Sequence, residues 1–305
     1  MERVRWLLAL PEPGYNSSGK SKGEVRLEAF LRKRRSPLWR FIHWCRDINT
    51  NGPRVLRELR DLLWAGRWFY IKVDRHSREA LSMRFLSSRT KIPLPRVWFT
   101  PTWKGTKYIF MSRIHGVDLA RAWDNLPDGK KVLVAEQLRN FMLELRSIPP
   151  PPGTIISSLD GGPVQSSRLH EWDPTSGPFR DEQHLNLQLR HLRPLETLPE
   201  LIQVSQAKTH PIVFTHNDFF PRNIMIDEPT GRVLAIIDWE SSGWFPSHWE
   251  YCISRNWGTW RPEQLEWMEK YVPQILPVFE EEAEADKMLM YGCGFPMMVP
   301  TEHAP

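Results

Sequence analysis

IVFTHNDFFPRNIMIDEPTGRVLAIIDWE, residues 212–240, opens with a short apolar run. That run, 212–214, predicts a strand delivering His216 and Asp218 to a polar loop. Pro221 argues against helix or central strand continuing through the loop, because proline lacks an amide hydrogen. Two more apolar runs, 224–226 and 233–237, flank the turn Glu228-Pro229-Thr230-Gly231, so the segment predicts a hairpin. The midpoint between Asn223 and Asp238 falls at Thr230 and Gly231, and closing the hairpin there brings Asn223 and Asp238 together. Asp218 is joined directly to the first hairpin strand, so one carboxamide and two carboxylates are expected to converge.

Such a cluster suits phosphoryl transfer. Mg²⁺ takes oxygen ligands and is commonly held by a few side-chain oxygens together with phosphates. A further carboxylate can accept the proton of an attacking hydroxyl. The reaction otherwise needs positioning and positive charge on the phosphates. His216, beside two apolar strands, reads as a hydrogen-bonded framework residue in preference to a metal ligand.

His-x-Asp, then Asn five residues on, then a hairpin to Ile-Asp-Trp-Glu, resembles the core of the aminoglycoside phosphotransferase family. The likeness extends to fungal members of unassigned substrate and covers roughly residues 55–290. Ile92 to Val97 matches the family's connector after the first-lobe helix, and Tyr108 to Met111 with Ile114 and Gly116 matches its hinge. Gly161 to Pro163, Gly177 to Phe179 and Gly243 to Pro246 match later loops. The resemblance implies a two-lobed, protein-kinase-like α+β fold with a small strand-containing N-lobe and a mainly helical C-lobe. It implies Asp218 as catalytic base, Asn223 and Asp238 as Mg²⁺ ligands, and Lys72 as the lysine on the ATP phosphates with Glu79 as its ion-pair partner. Backbone groups at Ser112 to Ile114 would meet adenine. One departure stands out: Gly66 is the only glycine where the family carries a phosphate-covering hairpin, and no P-loop pattern occurs anywhere.

The rest of the chain is consistent with that reading. Its 305 residues, 41% hydrophobic and 25% charged, are enough for about two globular domains. They divide into 1–50, an N-terminal helical extension of unclear role; 51–112, nucleotide-binding; and 113–305, catalytic and acceptor-binding. Residues 1–112 hold 24 Lys and Arg against 9 Asp and Glu, whereas 113–305 hold 17 against 27. A basic half suits a nucleotide triphosphate, and an acidic half suits metal ions or a cationic acceptor, although two mutually attracting solvated surfaces give the same balance. No apolar run reaches the ~18–20 residues that span a bilayer, and the start has no signal-peptide pattern, so no membrane association and a cytoplasmic location are expected. Cys45, Cys252 and Cys293 form no C-x-x-C pair, which argues against a disulfide framework or thiolate zinc site.

Helices are predicted over 24–46, 77–90 with Ser77 as N-cap, 128–147, 182–206 and 262–290, and strands over 67–74 and 107–112. The run Arg32 to Arg35 reads as a solvated helix face, with no nucleic-acid partner, and Glu280 to Asp286 reads as a solvated helix. Trp239, Trp244, Trp249, Trp257, Trp260 and Trp267 suit interhelical packing better than an open aromatic wall. Glu240 and Glu250 are placed either at the surface or against a cationic acceptor. The expected activity is ATP-dependent phosphoryl transfer to a hydroxyl of a small molecule. The rival is a pseudokinase that binds nucleotide or acts as a scaffold, which the single glycine at 66 favours.

Overall fold

A computed structural model of the chain describes residues 69–74, 78–103, 105–166, 168–169, 175–256 and 265–292. The chain divides into two compact units, residues 1–72 and 73–305. Of the first, Phe69 to Lys72 are described, and with Val73 they form strand β1 (Phe69–Val73), which carries Lys72. The helix expected over 24–46, the basic run at 32–35, Gly66, Ser77, Cys45, Cys293, Trp257, Trp260 and the tail after 292 lie outside the described residues.

The second unit begins with helix α1 (Glu79–Ser87), which buries Ala80, Met83 and Leu86 at spacings of three. Arg78 occupies its N-cap and makes no side-chain cap. Strands β2 (Val97–Phe99), β3 (Thr102–Trp103) and β4 (Thr106–Ser112) follow. β4 pairs antiparallel with β2, Val97 opposite Met111, and with β3, Thr102 opposite Lys107. After β5 (Val117–Asp118) the Asp118 side chain caps the short helix α2 (Leu119–Ala122) by accepting from the Arg121 amide.

Helix α3 (Asp128–Arg146) buries Val134, Ala135, Leu138, Met142 and Leu145 along one stripe. Val132 and Leu133, apolar in the sequence, face outward. Short strands β6 (Ser157–Ser158), β7 (Val164–Gln165) and β8 (Thr175–Ser176) come next. The single helix expected over 182–206 is two, α4 (Glu182–Leu189) and α5 (Glu200–Ala207). The break has a local cause: His191 and Leu192 take left-handed backbone angles, and Pro194 and Pro199 follow.

Strands β9 (Ile212–Thr215), β10 (Ile224–Asp227), β11 (Arg232–Ile236) and β12 (Gly243–Pro246) then build two small sheets, β11-β10-β5 and β6-β12-β9. Helix α6 (Trp249–Asn256), a π-helical turn Trp267–Tyr271, α7 (Val272–Ile275) and α8 (Glu280–Gly292) complete the described chain. The arrangement is α+β, strand-bearing first and mainly helical after. Ile156, Val164, Leu185, Phe220, Phe245 and Trp249 belong to one buried cluster, to which β12 contributes Phe245. Trp239, Trp244, Trp249 and Trp267 are all buried, so the described tryptophans of this group pack and form no open wall.

Candidate active site

The hairpin closes where its turn residues demand. The amides of Thr230 and Gly231 both donate to the Asp227 carbonyl, at 3.2 and 2.8 Å, and Gly231 takes φ 71°, which glycine adopts without a Cβ penalty. The register departs by one residue from the symmetric closure that the sequence suggests. A bulge between Met225 and Ile226 pairs Ile224 with Ile236, and the Ile237 amide donates to the Asn223 carbonyl at 2.9 Å. Asn223 therefore sits opposite Ile237, and Asp238 lies one step beyond. Asp238 then leaves the strand with φ 68° and ψ 56°, a left-handed conformation that Asp and Asn tolerate best.

The loop between β9 and β10 is held from behind by buried groups. His216 is fully buried; its Nδ1 accepts the Asp218 amide at 3.2 Å and its Nε2 faces the Ile237 carbonyl at 3.0 Å. Accepting at Nδ1 fixes the proton on Nε2, so the neutral ring ties the Asp218 loop to the residue before Asp238. Its ring also packs on Trp239, 4.4 Å between centroids. Asn217, at φ 63°, donates from its side chain to the carbonyls of Gln165 and Ser241 and accepts from Trp249 Nε1 at 2.8 Å.

Glu250 corrects both placements that the sequence suggested for it. It is fully buried and meets neither solvent nor an acceptor. Its carboxylate accepts the amides of His216 at 2.6 Å and Asn217 at 3.0 Å, holding the turn that presents Asp218. Burial pushes its pKa up to about 7, against the pull of those two amides and of the Arg146 charge. Burial lowers the Arg146 pKa, partly offset by Glu250, and Arg146 Nη2 donates to the Ser247 carbonyl at 2.7 Å. A signal for Glu250 existed: it stands inside Trp249-Glu250-Tyr251-Cys252-Ile253, a charge within an otherwise apolar first helical turn.

Asp218 is three-quarters buried at its side chain and forms an ion pair with the half-exposed Arg222. Asn223 Nδ2 donates to both the Asp218 carbonyl, at 2.8 Å, and Asp218 Oδ2, at 2.7 Å. With the nitrogen spent on Asp218, Oδ1 is the atom Asn223 has for a cation. Burial raises the Asp218 pKa to about 6; Arg222 and Asn223 pull it down, while Asp238 and Glu240 push it further up.

Asp238 also meets carboxylates that the sequence did not group with it. Oxygens of Glu79, Asp238 and Glu240 lie within 4.8 Å of one another. Glu79 heads α1, and that helix is fixed against the turn after Asp238 by a buried hydrogen bond, Ser242 Oγ to Ser82 Oγ at 2.8 Å. Lys72 lies on β1, in the first unit. Ser112 ends β4; its amide donates to the Arg96 carbonyl and its hydroxyl accepts the Arg96 amide. Ile114 follows it, half-buried, two residues before Gly116. A Cβ at Gly116 would stand 2.5 Å from the Ile226 carbonyl oxygen, so glycine is what lets the chain there approach β10.

No helix among the described residues is long and apolar enough to cross a membrane. No curated protein matches the chain in sequence. Among solved structures it is similar to aminoglycoside-3'-phosphotransferase of type VIII, at 16% identity over 72% of this chain and 83% of that one, TM-score 0.45. It is also similar to APH(3'')-Id from Streptomyces rimosus ATCC10970 in complex with ADP and streptomycin, at 16% identity, 73% and 85% coverage and TM-score 0.42. ADP-bound APH(2'')-Ib gives 15% identity, 74% and 80% coverage and TM-score 0.44. The model of the phosphotransferase enzyme family matches residues 71–272, the greater part of the chain, and on that match the chain belongs to this family and is a small-molecule kinase.

Proposed function

We propose that the chain transfers the γ-phosphoryl group of ATP to a hydroxyl of a small molecule, with Asp218 as the base. The observation that carries this reading is the hydrogen bonding of Asn223 to Asp218, on a hairpin whose far strand runs directly into Asp238. The acceptor hydroxyl gives its proton to Asp218, its oxygen bonds to the γ-phosphorus, and the β–γ bridging oxygen leaves with ADP. A carboxyl titrating near 6 is ionised at neutral pH and still basic enough to take that proton.

The donor set around Asp238 consists of the carboxylates of Glu79, Asp238 and Glu240, all oxygen, which fits Mg²⁺. Asn223 and Asp238 would hold the ion, and bound Mg²⁺ neutralises charge on the phosphates. Lys72 would add positive charge for the phosphates. Because the Ser112 amide is already donated to Arg96, the adenine edge would be met by the Ser112 carbonyl and the Ile114 amide. Residues 51–112 would thus take the nucleotide and residues 113–305 the acceptor. The acidic balance of 113–305, with Glu240 beside the site, suits a hydroxylated acceptor that carries positive charge.

The test is calorimetric MgATP binding followed by a panel of small hydroxylated metabolites. Asp218→Asn should lose turnover by ~10²–10⁴-fold and keep MgATP binding, because the base acts on the acceptor. Asp238→Ala should lose both. Wild-type turnover by Asp218→Asn on an accepted substrate refutes the assignment.

A further inference from the structure

Away from the Asp218 loop, Glu182, His210 and His248 bring one ligand atom each within 4.8 Å of one another. They come from three separate places: the first turn of α4, the segment before β9, and the segment before α6. We propose that these three residues form a binding site for a zinc-class divalent metal ion, with Glu182 Oε1, His210 Nδ1 and His248 Nδ1 as ligands.

The independent pointer is His248. Its side chain is nine-tenths buried, yet its Nδ1 makes no hydrogen bond and stands 3.4 Å from Glu182 Oε1. A buried ring nitrogen without a hydrogen bond is costly, and a bound ion would complete it.

The surrounding contacts are those of a ligand set already oriented. Glu182 Oε2 accepts the His210 amide at 2.7 Å, which leaves Oε1 turned toward both rings. His210 Nδ1 meets Glu182 Oε1 at 2.7 Å, while its Nε2 lies 3.4 Å from Glu282 Oε1. A metal-bound imidazole usually gives its second nitrogen to a carboxylate, which orients the ring. Glu282 is in turn fixed by Lys208 Nζ at 2.6 Å. Four-coordinate zinc holds nitrogen and oxygen at ~2.0–2.2 Å, which puts neighbouring ligand atoms ~3.3 Å apart. The His248–Glu182 distance already has that value, and the His210–Glu182 pair needs to open by roughly half an ångström. Two imidazoles and a carboxylate favour zinc or its neighbours over Mg²⁺, which prefers oxygen alone. The fourth position would take water. The ion would join the strand leading to Asp218 to the helix that carries Glu250.

The test uses the full chain, stripped with a chelator and titrated calorimetrically with Zn²⁺ in the presence of excess Mg²⁺. One zinc per chain is expected, with a rise in melting temperature. His248→Gln should weaken zinc binding at least tenfold, and Asp238→Asn should leave it unchanged. Absence of stoichiometric binding to wild type, or unchanged binding to a folded His248→Gln chain, overturns the proposal. Loss of zinc in Asp238→Asn, or its displacement by Mg²⁺, places the ion at the carboxylates near Asp218 and overturns it equally. If His248→Gln does not fold, Co²⁺ titration of wild type takes its place. The visible absorption of four-coordinate cobalt supports the site, and a six-coordinate spectrum refutes it.

Discussion

Replacing Glu250 by alanine tests whether the loop carrying Asp218 is held from behind. Glu250 is fully buried and accepts two backbone amides, from His216 at 2.6 Å and Asn217 at 3.0 Å. Its removal orphans both, each at ~1–3 kcal/mol, and removes the counter-charge of the largely buried Arg146. The two orphaned amides together put the loss at about 2–6 kcal/mol, against a typical total of ~5–15 kcal/mol. Urea unfolding of the full chain, followed by tryptophan fluorescence, measures it. A loss below about 1 kcal/mol refutes the buried-brace reading. The same residue has a pH signature. Its folded pKa, about 7, lies above the ordinary 4.5, so between those values the native state keeps a proton that the unfolded chain has released. Stability contributed by that proton is present at pH 4.5 and lost as pH rises to 7, by up to about 3 kcal/mol. Glu250→Gln cannot ionise, so its stability should fall less across that window than wild type. Parallel curves for the two proteins contradict the assignment.

Three further outcomes are expected. For a base titrating near 6, kcat/KM should drop about tenfold per pH unit below that point, and a flat profile from pH 7 to 5 removes Asp218 from that role. Gly116→Ala places a Cβ 2.5 Å from the Ile226 carbonyl and 2.7 Å from Leu234 Cδ1, and should cost ~1–3 kcal/mol in the same urea assay; wild-type stability would show that the chain at Gly116 does not approach β10 so closely. Mg²⁺ at 100 times its dissociation constant should raise wild-type stability by ~2.7 kcal/mol, and Asp238→Ala should show no such gain; equal gains place the ion elsewhere.

The hairpin was legible because its signals are local. Apolar runs, a Pro-Thr-Gly turn and polar residues at the open ends occupy one continuous stretch, and no distant partner is needed to read them. The bulge at Met225 was not legible, since one extra residue changes pairing without changing the apolar pattern. The acidic run 280–286 shows the opposite failure. It reads as solvated, yet Glu282 and Asp286 turn inward, Glu282 to Lys208 at 2.6 Å and Asp286 to Arg168 at 2.7 Å. Whether a carboxylate is buried depends on a cation far away in sequence, and Lys208 and Arg168 carry no local mark of it. Glu250 differs, because its apolar neighbours in 249–253 mark it as buried.

The carboxylates near the hairpin form a pattern that packing alone does not explain. Glu79, Asp238 and Glu240 gather within 4.8 Å, and both Asp238 and Glu240 raise the pKa of Asp218. Asp238 adds a left-handed backbone angle that costs roughly 1–2 kcal/mol for a residue with a Cβ. The hydrogen bonds of His216, Asn217 and Glu250 are what hold that arrangement in place, and all three are buried. The site is thus divided in function. A buried layer fixes the backbone, while the layer in front presents carboxylate oxygens to a cation and a proton. A substitution behind the loop should therefore register first as lost stability, and one in front as lost chemistry with the fold retained.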